Sequence, residues 1–317
     1  MPIPDRLAGR LSIPAISAPM FLVSGPDLVV ETCRSGVIGS FPALNQRSSD
    51  GYADWLQEIP ERLAAFEGQD GPVAPYAVNL VVHRSNPRLE ADLKITVDHK
   101  VPLVITSLGA NEEVVQAVHG YGGLVFHDVI NLRHARKAAE AGVDGIIAVC
   151  SGAGGHASTL SAFALVPEIR RIFDGTIILG GAISTGAQIA AAQLLGADMA
   201  YVGTRFLATR ESLAFDAQKA MVRAASAEDI VYTPAISGVN GNFLAQSLRQ
   251  AGLDPEVPPE KLDFGTTDAK AWKDVWAAGQ GVGSIHDVPG AAELVERLKA
   301  EYGAAIEGLQ KGCGVVA

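Results

Sequence analysis

The sequence predicts an α/β fold: a (β/α)8, or TIM, barrel with a smaller helical lid domain inserted after the eighth strand. Three observations predict it. Eight short apolar runs recur at spacings of about 20 to 40 residues, and helical patterns separate most of them. The runs are apolar throughout rather than alternating, as expected of a parallel sheet covered on both faces. One unit also recurs: a helix, a glycine suited to a left-handed helix end, a two-residue link and a strand. Eight strands of this kind favour a closed barrel over an open doubly wound sheet.

In chain order, the predicted strands begin with Ile13–Ala18. Cys33-Arg34-Ser35-Gly36 ends a helix before the second, Val37–Ser40. Tyr76–Leu80 and Leu103–Thr106 follow. His119-Gly120-Tyr121-Gly122-Gly123 introduces the fifth, Leu124–His127. Ala138–Asp144 leads into the sixth, Gly145–Cys150. Thr176–Gly180 is the seventh, and Ala192–Asp198 leads into the eighth, Met199–Gly203. After Arg210 the texture changes. Residues 211–262 read as helix and loop, with Pro255, Pro258 and Pro259 marking an irregular stretch. Trp272–Gly279 and Ala291–Tyr302 read as helices returning to the barrel wall. The barrel is therefore assigned to residues 1–210 and 280–317, and the lid over its mouth to 211–279.

Hydrophobic residues make up 48% of the 317 positions and charged ones 19%, which excludes a disordered chain. A net charge of −10 argues against nucleic acid or an anionic membrane as partner. Cys33, Cys150 and Cys313 are far apart and odd in number, and no CxxC or Cys/His spacing suggests a metal, so reduced thiols in a cytoplasmic protein are expected. The N-terminus lacks an apolar core long enough for a signal peptide. The long stretch free of Asp, Glu, Lys and Arg at Gly145–Pro167 is broken by glycines, serines and a histidine, so no membrane span is expected.

In such barrels the chemistry sits at the C-terminal ends of the strands. There the chain offers Met20 after the first strand, Asn79 on the third, and His127-Asp128 on the fifth. The sixth runs into Ala148-Val149-Cys150-Ser151-Gly152-Ala153-Gly154-Gly155-His156, three glycines within four residues ending on an imidazole. Glycine spent so freely means positive φ or a ligand close to the backbone. The seventh and eighth strands end in small-residue turns before helices: Gly180-Gly181-Ala182 and Gly203-Thr204. Exposed N–H groups there, with helix N-termini behind them, form a phosphate site. His127-Asp128 reads equally as a helix-capping pair. Cys150 reads as a small buried hydrophobe, and Arg205 as a partner for phosphate or for a neighbouring carboxylate.

Several of these segments together carry a family likeness. The Ile16–Met20 start ISAPM, the strand PYAVNL, the segment AGVDGIIAVCSGAGGH and the block LGGAISTGAQIAAAQLLGADMAYVGTRFLATRE resemble the nitronate monooxygenase family, FMN-containing (β/α)8 barrels with a helical lid. The likeness covers roughly residues 10–215 and continues more faintly through GTTDAKAWKDVWAAGQGVG. It implies a flavin phosphate on Gly181, Ala182, Gly203 and Thr204, with Gly180 in the same turn. It places Met20 and Asn79 beside the flavin and its ribityl side, and His156 on the histidine used as catalytic base or substrate-positioning group. Two departures stand out. Many relatives carry lysine where this chain has Asp128, and an acidic residue where it has Val149. A carboxylate facing the flavin would oppose the anionic reduced form.

The resemblance implies an FMN-dependent oxidoreductase acting on a small molecule. Histidine titrates near neutral pH and can take a proton from an acidic carbon beside a nitro, carbonyl or thioester group. His127 and Ser151 are further candidates for touching substrate. O2 competes with another electron acceptor, and oxidation of an alkyl nitronate competes with NAD(P)H-dependent reduction of a quinone or enoyl thioester. A flavin-free lyase or isomerase using the same phosphate loops is the reading from another class. Such enzymes usually place lysine or paired carboxylates at strand ends, and no lysine occurs between Lys137 and Lys219. Homo-oligomerisation is left open.

Overall fold

The protein is described by a computed structural model covering residues 3–68, 71–234, 236, 239–254 and 275–312. Its strands are β1 Ala15–Ser17, β2 Ile38–Pro42, β3 Ala77–Val81, β4 Leu103–Ser107, β5 Leu124–Val129, β6 Gly145–Val149, β7 Gly155–His156, β8 Thr176–Gly180, β9 Met199–Val202, β10 Ile230–Thr233 and β11 Gly241–Leu244. Eight of them close a barrel in the order β1-β2-β3-β4-β5-β6-β8-β9, every neighbouring pair parallel, with β9 returning to β1 through Ile16↔Tyr201. All eight predicted strands are present, each within a few residues of its expected limits.

Why the runs are apolar on both sides is visible in the packing. Ile16, Ile38, Ala77, Ile105, Phe126, Ile147, Ile178 and Met199 fill the barrel interior. Their neighbours Ala15, Val78, Val104, Val125, Ile146, Ile177 and Ala200 face the helices. Side chains alternate along a strand, so residues two further on from the interior set also point inward, at the mouth. These are Ala18, Ser40, Asn79, Ser107, Asp128, Val149, Gly180 and Tyr201.

The helices between the barrel strands are α1 Pro26–Arg34, α2 Ser49–Ala64, α3 Leu89–Asp98, α4 Glu112–Gly120, α5 Leu132–Glu140, α6 Ala162–Arg170 and α7 Gly186–Leu194. Ser48, Asn111, Asn131, Ser161 and Thr185 cap five of them through their side chains, each satisfying an otherwise unpaired first-turn N–H. Gly142 and Gly196 end α5 and α7 at φ +81 and +99, as the recurring unit predicts. The acid two residues later has its own job. Asp144 accepts from Val125 N–H at 2.7 Å and Asp198 from Ile177 N–H at 2.8 Å, tying each incoming strand to the start of the preceding one.

A short helix, α8 Thr204–Leu207, follows the last barrel strand, and the region assigned to the lid contains α9 Asp216–Ala224 and α10 Ala245–Gln250. It also contains strands, where the sequence suggested only helix and loop. β10 and β11 form an antiparallel hairpin, and β11 pairs with β7 through Gly241↔His156. Val275–Gly279 is not helical; Ala277 makes a β-bridge with Phe243. Residues 272–274 and Pro255, Pro258 and Pro259 lie outside the described residues. The final helix, α11 Ala291–Gly312, is longer than predicted and closes the wall by burying Leu294, Val295 and Leu298. Among the described residues no helix is long and apolar enough to cross a membrane.

Candidate active site

The turn after β8 is built for close approach. Gly181 has φ +142, and a Cβ there would lie 2.8 Å from the Ser151 carbonyl oxygen. Ala182 is held at φ +53, a conformation that L side chains rarely adopt and that recurs at functional turns. Its N–H donates to the Gly152 carbonyl at 3.3 Å, so the turn after β8 and the glycine loop after β6 are one unit.

The helix behind this turn does not supply the anion donors expected of it. The N–H groups of Ser184 and Thr185 donate to Gln188 Oε1, Gln188 N–H to Thr185 Oγ1, and Gly186 N–H to Glu301 Oε2 at 2.7 Å. The N–H groups of Gly181, Gly203 and Thr204 find no acceptor among the described residues. Gly203 is informative. Its φ is −100, and a Cβ would sit 3.8 Å from Ala18 Cβ and 3.9 Å from Met20 Sδ, ordinary contact distances. Neither backbone strain nor packing accounts for glycine there, whereas a phosphate lying over the backbone would. The residues therefore fit such a group. Thr204 Oγ1 is used within the chain, accepting from Gly279 N–H at 2.9 Å.

Met20 reaches this rim from β1, its loop fixed by Asn45, whose Nδ2 donates to the carbonyls of Met20 and Ser24. Opposite lies a polar line. Asn79 Nδ2 donates to Ser107 Oγ at 2.7 Å, and Ser107 Oγ donates to Asp128 Oδ2 at 2.6 Å. Burial pushes the Asp128 carboxyl up to about 7, against the Ser107 hydrogen bond, which pulls the other way. Ser107 and Tyr201 escaped the sequence reading, although counting two residues on from Ile105 and Met199 would have found them.

The glycine loop owes its glycines mainly to the chain itself. Gly152 and Gly155 have φ +84 and +70, and a Cβ on Gly154 would lie 2.9 Å from Ala278 C and Gly279 N. The segment 278–279 therefore lies directly on the loop. Asn242 Nδ2 adds a hydrogen bond to the Ala153 carbonyl at 2.7 Å, and Tyr232 OH one to Ala157 at 3.0 Å. His156 is thus a strand residue clamped by the β10–β11 hairpin. Burial lowers its pKa, which leaves the imidazole neutral near pH 7. Ser151 is exposed at the same rim, its N–H donating to the Leu160 carbonyl.

His127 is not brought to this mouth. It shares the outward parity of Val125 and Val129, is 3% exposed, and joins Thr106 Oγ1 through Nδ1 at 2.7 Å. Burial, with the nearby His134 charge, drives its pKa down to about 4. Arg205 takes the carboxylate alternative: it pairs with Asp287 at 3.0 Å. Cys150 is buried and its thiol pushed up to about 12.

The comparisons with known proteins agree with this geometry. The nitronate monooxygenase family model matches residues 41–301. A nitronate monooxygenase of Paraburkholderia phytofirmans is 29% identical across 94% of both chains. A carboxyl-CoA dehydrogenase of Rhodococcus jostii, acting on a methyl-oxo-octahydroindene acid thioester by its name, is 26% identical over 75% of this chain and 65% of its own. Among solved structures, the nitroalkane oxidase of Streptomyces ansochromogenes superposes with a TM-score of 0.80 at 25% identity, covering 96% of this chain and 100% of that one. FabK of Thermotoga maritima gives 0.78 at 23% identity, covering 95% and 96%, a likeness of fold. With a family model spanning most of the chain, and a barrel of matching architecture, this protein belongs to the nitronate monooxygenase family, a flavin-dependent family of oxidoreductases.

Proposed function

We propose that the protein is an FMN-dependent oxidoreductase that oxidises a carbon acid such as a nitroalkane, or the alkyl nitronate it ionises to, with His156 as the base for the neutral form and O2 as the acceptor. In this reading the N–H groups of Gly181, Gly203 and Thr204 hold the FMN phosphate, and Gly180 and Ala182 shape the turn that presents them. Met20 flanks the same rim, and Asn79 and Asp128 line the opposite wall. When bound, the flavin supplies a two-electron acceptor at the mouth.

The chain's own contribution is placement and proton handling. A neutral imidazole at His156 can accept a proton from the substrate carbon, and its fixed strand geometry spares the reorganisation a mobile loop would need. The hairpin β10–β11 roofs the loop, which limits water around the reacting carbon. The single observation that carries the reading is Gly203, a glycine with room for a side chain, whose N–H, like those of Thr204 and Gly181, meets no acceptor among the described residues.

Reconstitution with FMN followed by anaerobic mixing tests it. An alkyl nitronate or nitroalkane should bleach the flavin, and air should restore it. A protein that takes up no FMN would return the barrel to the flavin-free lyase or isomerase class. Bleaching by NAD(P)H alone would replace the substrate half of the proposal with a reductase.

A further inference from the structure

The barrel mouth contains one acid that the proposed chemistry does not use. Asp128 points inward from the end of β5, and the atoms around it are unevenly satisfied. Oδ2 receives one hydrogen bond, from Ser107, while Oδ1 is shielded from solvent and has no partner among the described residues. Across the barrel, Tyr201 OH on β9 is likewise buried and has no partner among the described residues. Its own ionisation is pushed far up, first by burial and then by the charge of Asp128.

Two orphaned polar atoms in one inward layer are expensive unless a third group joins them. The other strands offer nothing to neutralise the acid. The residues beside it in the layer are Ser107 on β4 and Val149 on β6, with Gly180 and Tyr201 beyond. No lysine, arginine or histidine points inward from any described strand of the barrel; His127 faces outward from β5, His134 is on α5, and His156, on β7 outside the barrel sheet, is neutral near pH 7. An isolated carboxylate in such a place either keeps a proton or destabilises every negative charge brought near it.

We infer that Asp128 is a proton-holding residue of the mouth, carrying its proton on Oδ1 and donating it as a hydrogen bond, alongside Tyr201, to an electron-rich group of the bound cofactor. The inference rests on the flavin reading above. Asp128 stands where many relatives carry lysine, so a neutral acid here replaces a cation: it donates a hydrogen bond and takes up charge by proton exchange. When negative charge arrives in the mouth on reduction, an ionised Asp128 takes one proton from solvent, and that proton accompanies the two electrons. When Asp128 is already protonated, no such uptake occurs.

The carboxyl is tested first in the flavin-free protein. Carbon-13 aspartate labelling, with Asp128→Asn identifying the resonance, should show one Asp titrating near neutral pH. Ser107→Ala, which removes the one hydrogen bond favouring the anion, should move that titration higher. A resonance titrating in the ordinary range near pH 4 would overturn the inference without touching the proposed function.

The second test is the midpoint potential of bound FMN against pH. Wild type should take up one more proton per two electrons than Asp128→Asn around pH 7. The two proteins should have matching potentials at low pH, and Asn should be the easier to reduce at high pH. Parallel curves across the whole range would refute the inference. If Asp128→Asn fails to fold, Ser107→Ala gives the second comparison: with the Asp128 titration moved higher, the pH range of extra proton uptake should move up with it. A merely structural Asp128 would change yield or melting temperature and leave both titrations unmoved.

Discussion

Replacing Gly203 by valine separates a binding glycine from a folding one. The protein around it has room, since the first added carbon meets Ala18 and Met20 at 3.8 and 3.9 Å, and φ −100 is open to valine. Gly203 is the N-cap of α8, and losing a good cap residue costs about 1 kcal/mol, which lowers the melting temperature by about 2–4 °C. Crowding a phosphate off two N–H donors, Gly203 and Thr204, forfeits two hydrogen bonds to a charged group. At about 1.5–3 kcal/mol each, FMN affinity should fall by roughly 10²–10⁴. Gly181→Val is the contrast. With φ +142 and the Ser151 oxygen 2.8 Å away, it should damage the fold itself. Flavin fluorescence titration beside calorimetric melting reads both quantities. A Gly203→Val protein that binds FMN as tightly as wild type would refute the phosphate assignment.

Other outcomes follow from the same geometry. His127 is buried neutral, with a folded pKa near 4 against 6.5 unfolded, so the unfolded chain binds the extra proton in between. Stability should fall as pH drops through that window, by roughly 3 kcal/mol in all, and His127→Gln should flatten the fall while sparing FMN binding, as denaturant melts at several pH values would show. Gly154→Ala puts a carbon 2.9 Å from the 278–279 backbone and should cost about 1–3 kcal/mol in thermal melts. Asp287→Asn strands Arg205, which is 2% exposed, and should cost about 1–2 kcal/mol at pH 7. Arg297 and Arg205 hold the Asp287 pKa low, so its contribution is present above the ordinary carboxylate range and lost on acidification. The difference between variant and wild type should therefore vanish at low pH.

The barrel was legible because each strand is buried on two faces, so Gly145–Val149 or Thr176–Gly180 reads as an uninterrupted apolar run. Strands β10 and β11 were not. Tyr232 is exposed beside the buried Thr233, and Gly241 and Asn242 are poor strand formers held by pairing with Gly155 and His156 rather than by propensity. His127 was misleading because a strand-end histidine has an inward or outward side, and only the parity set by Phe126 decides which. The glycines before His156 announced a special loop correctly. Their cause, the approach of Ala278 and Gly279 from more than a hundred residues away, has no local signature.

The central claim is that His156 removes a proton from a carbon held over the flavin. The direct measurement is anaerobic stopped-flow reduction of FMN-loaded wild type and His156→Ala, using a neutral nitroalkane and the same compound already ionised to its nitronate. The account predicts near-equal flavin content in the two proteins. It predicts a fall of about 10²–10⁴ in reduction rate with the neutral substrate. Much of that loss should be recovered with the nitronate, where no proton remains to be taken. Equal rates in both proteins with both substrates would contradict it, and would leave His156 as the residue that fastens the glycine loop to the β10–β11 hairpin.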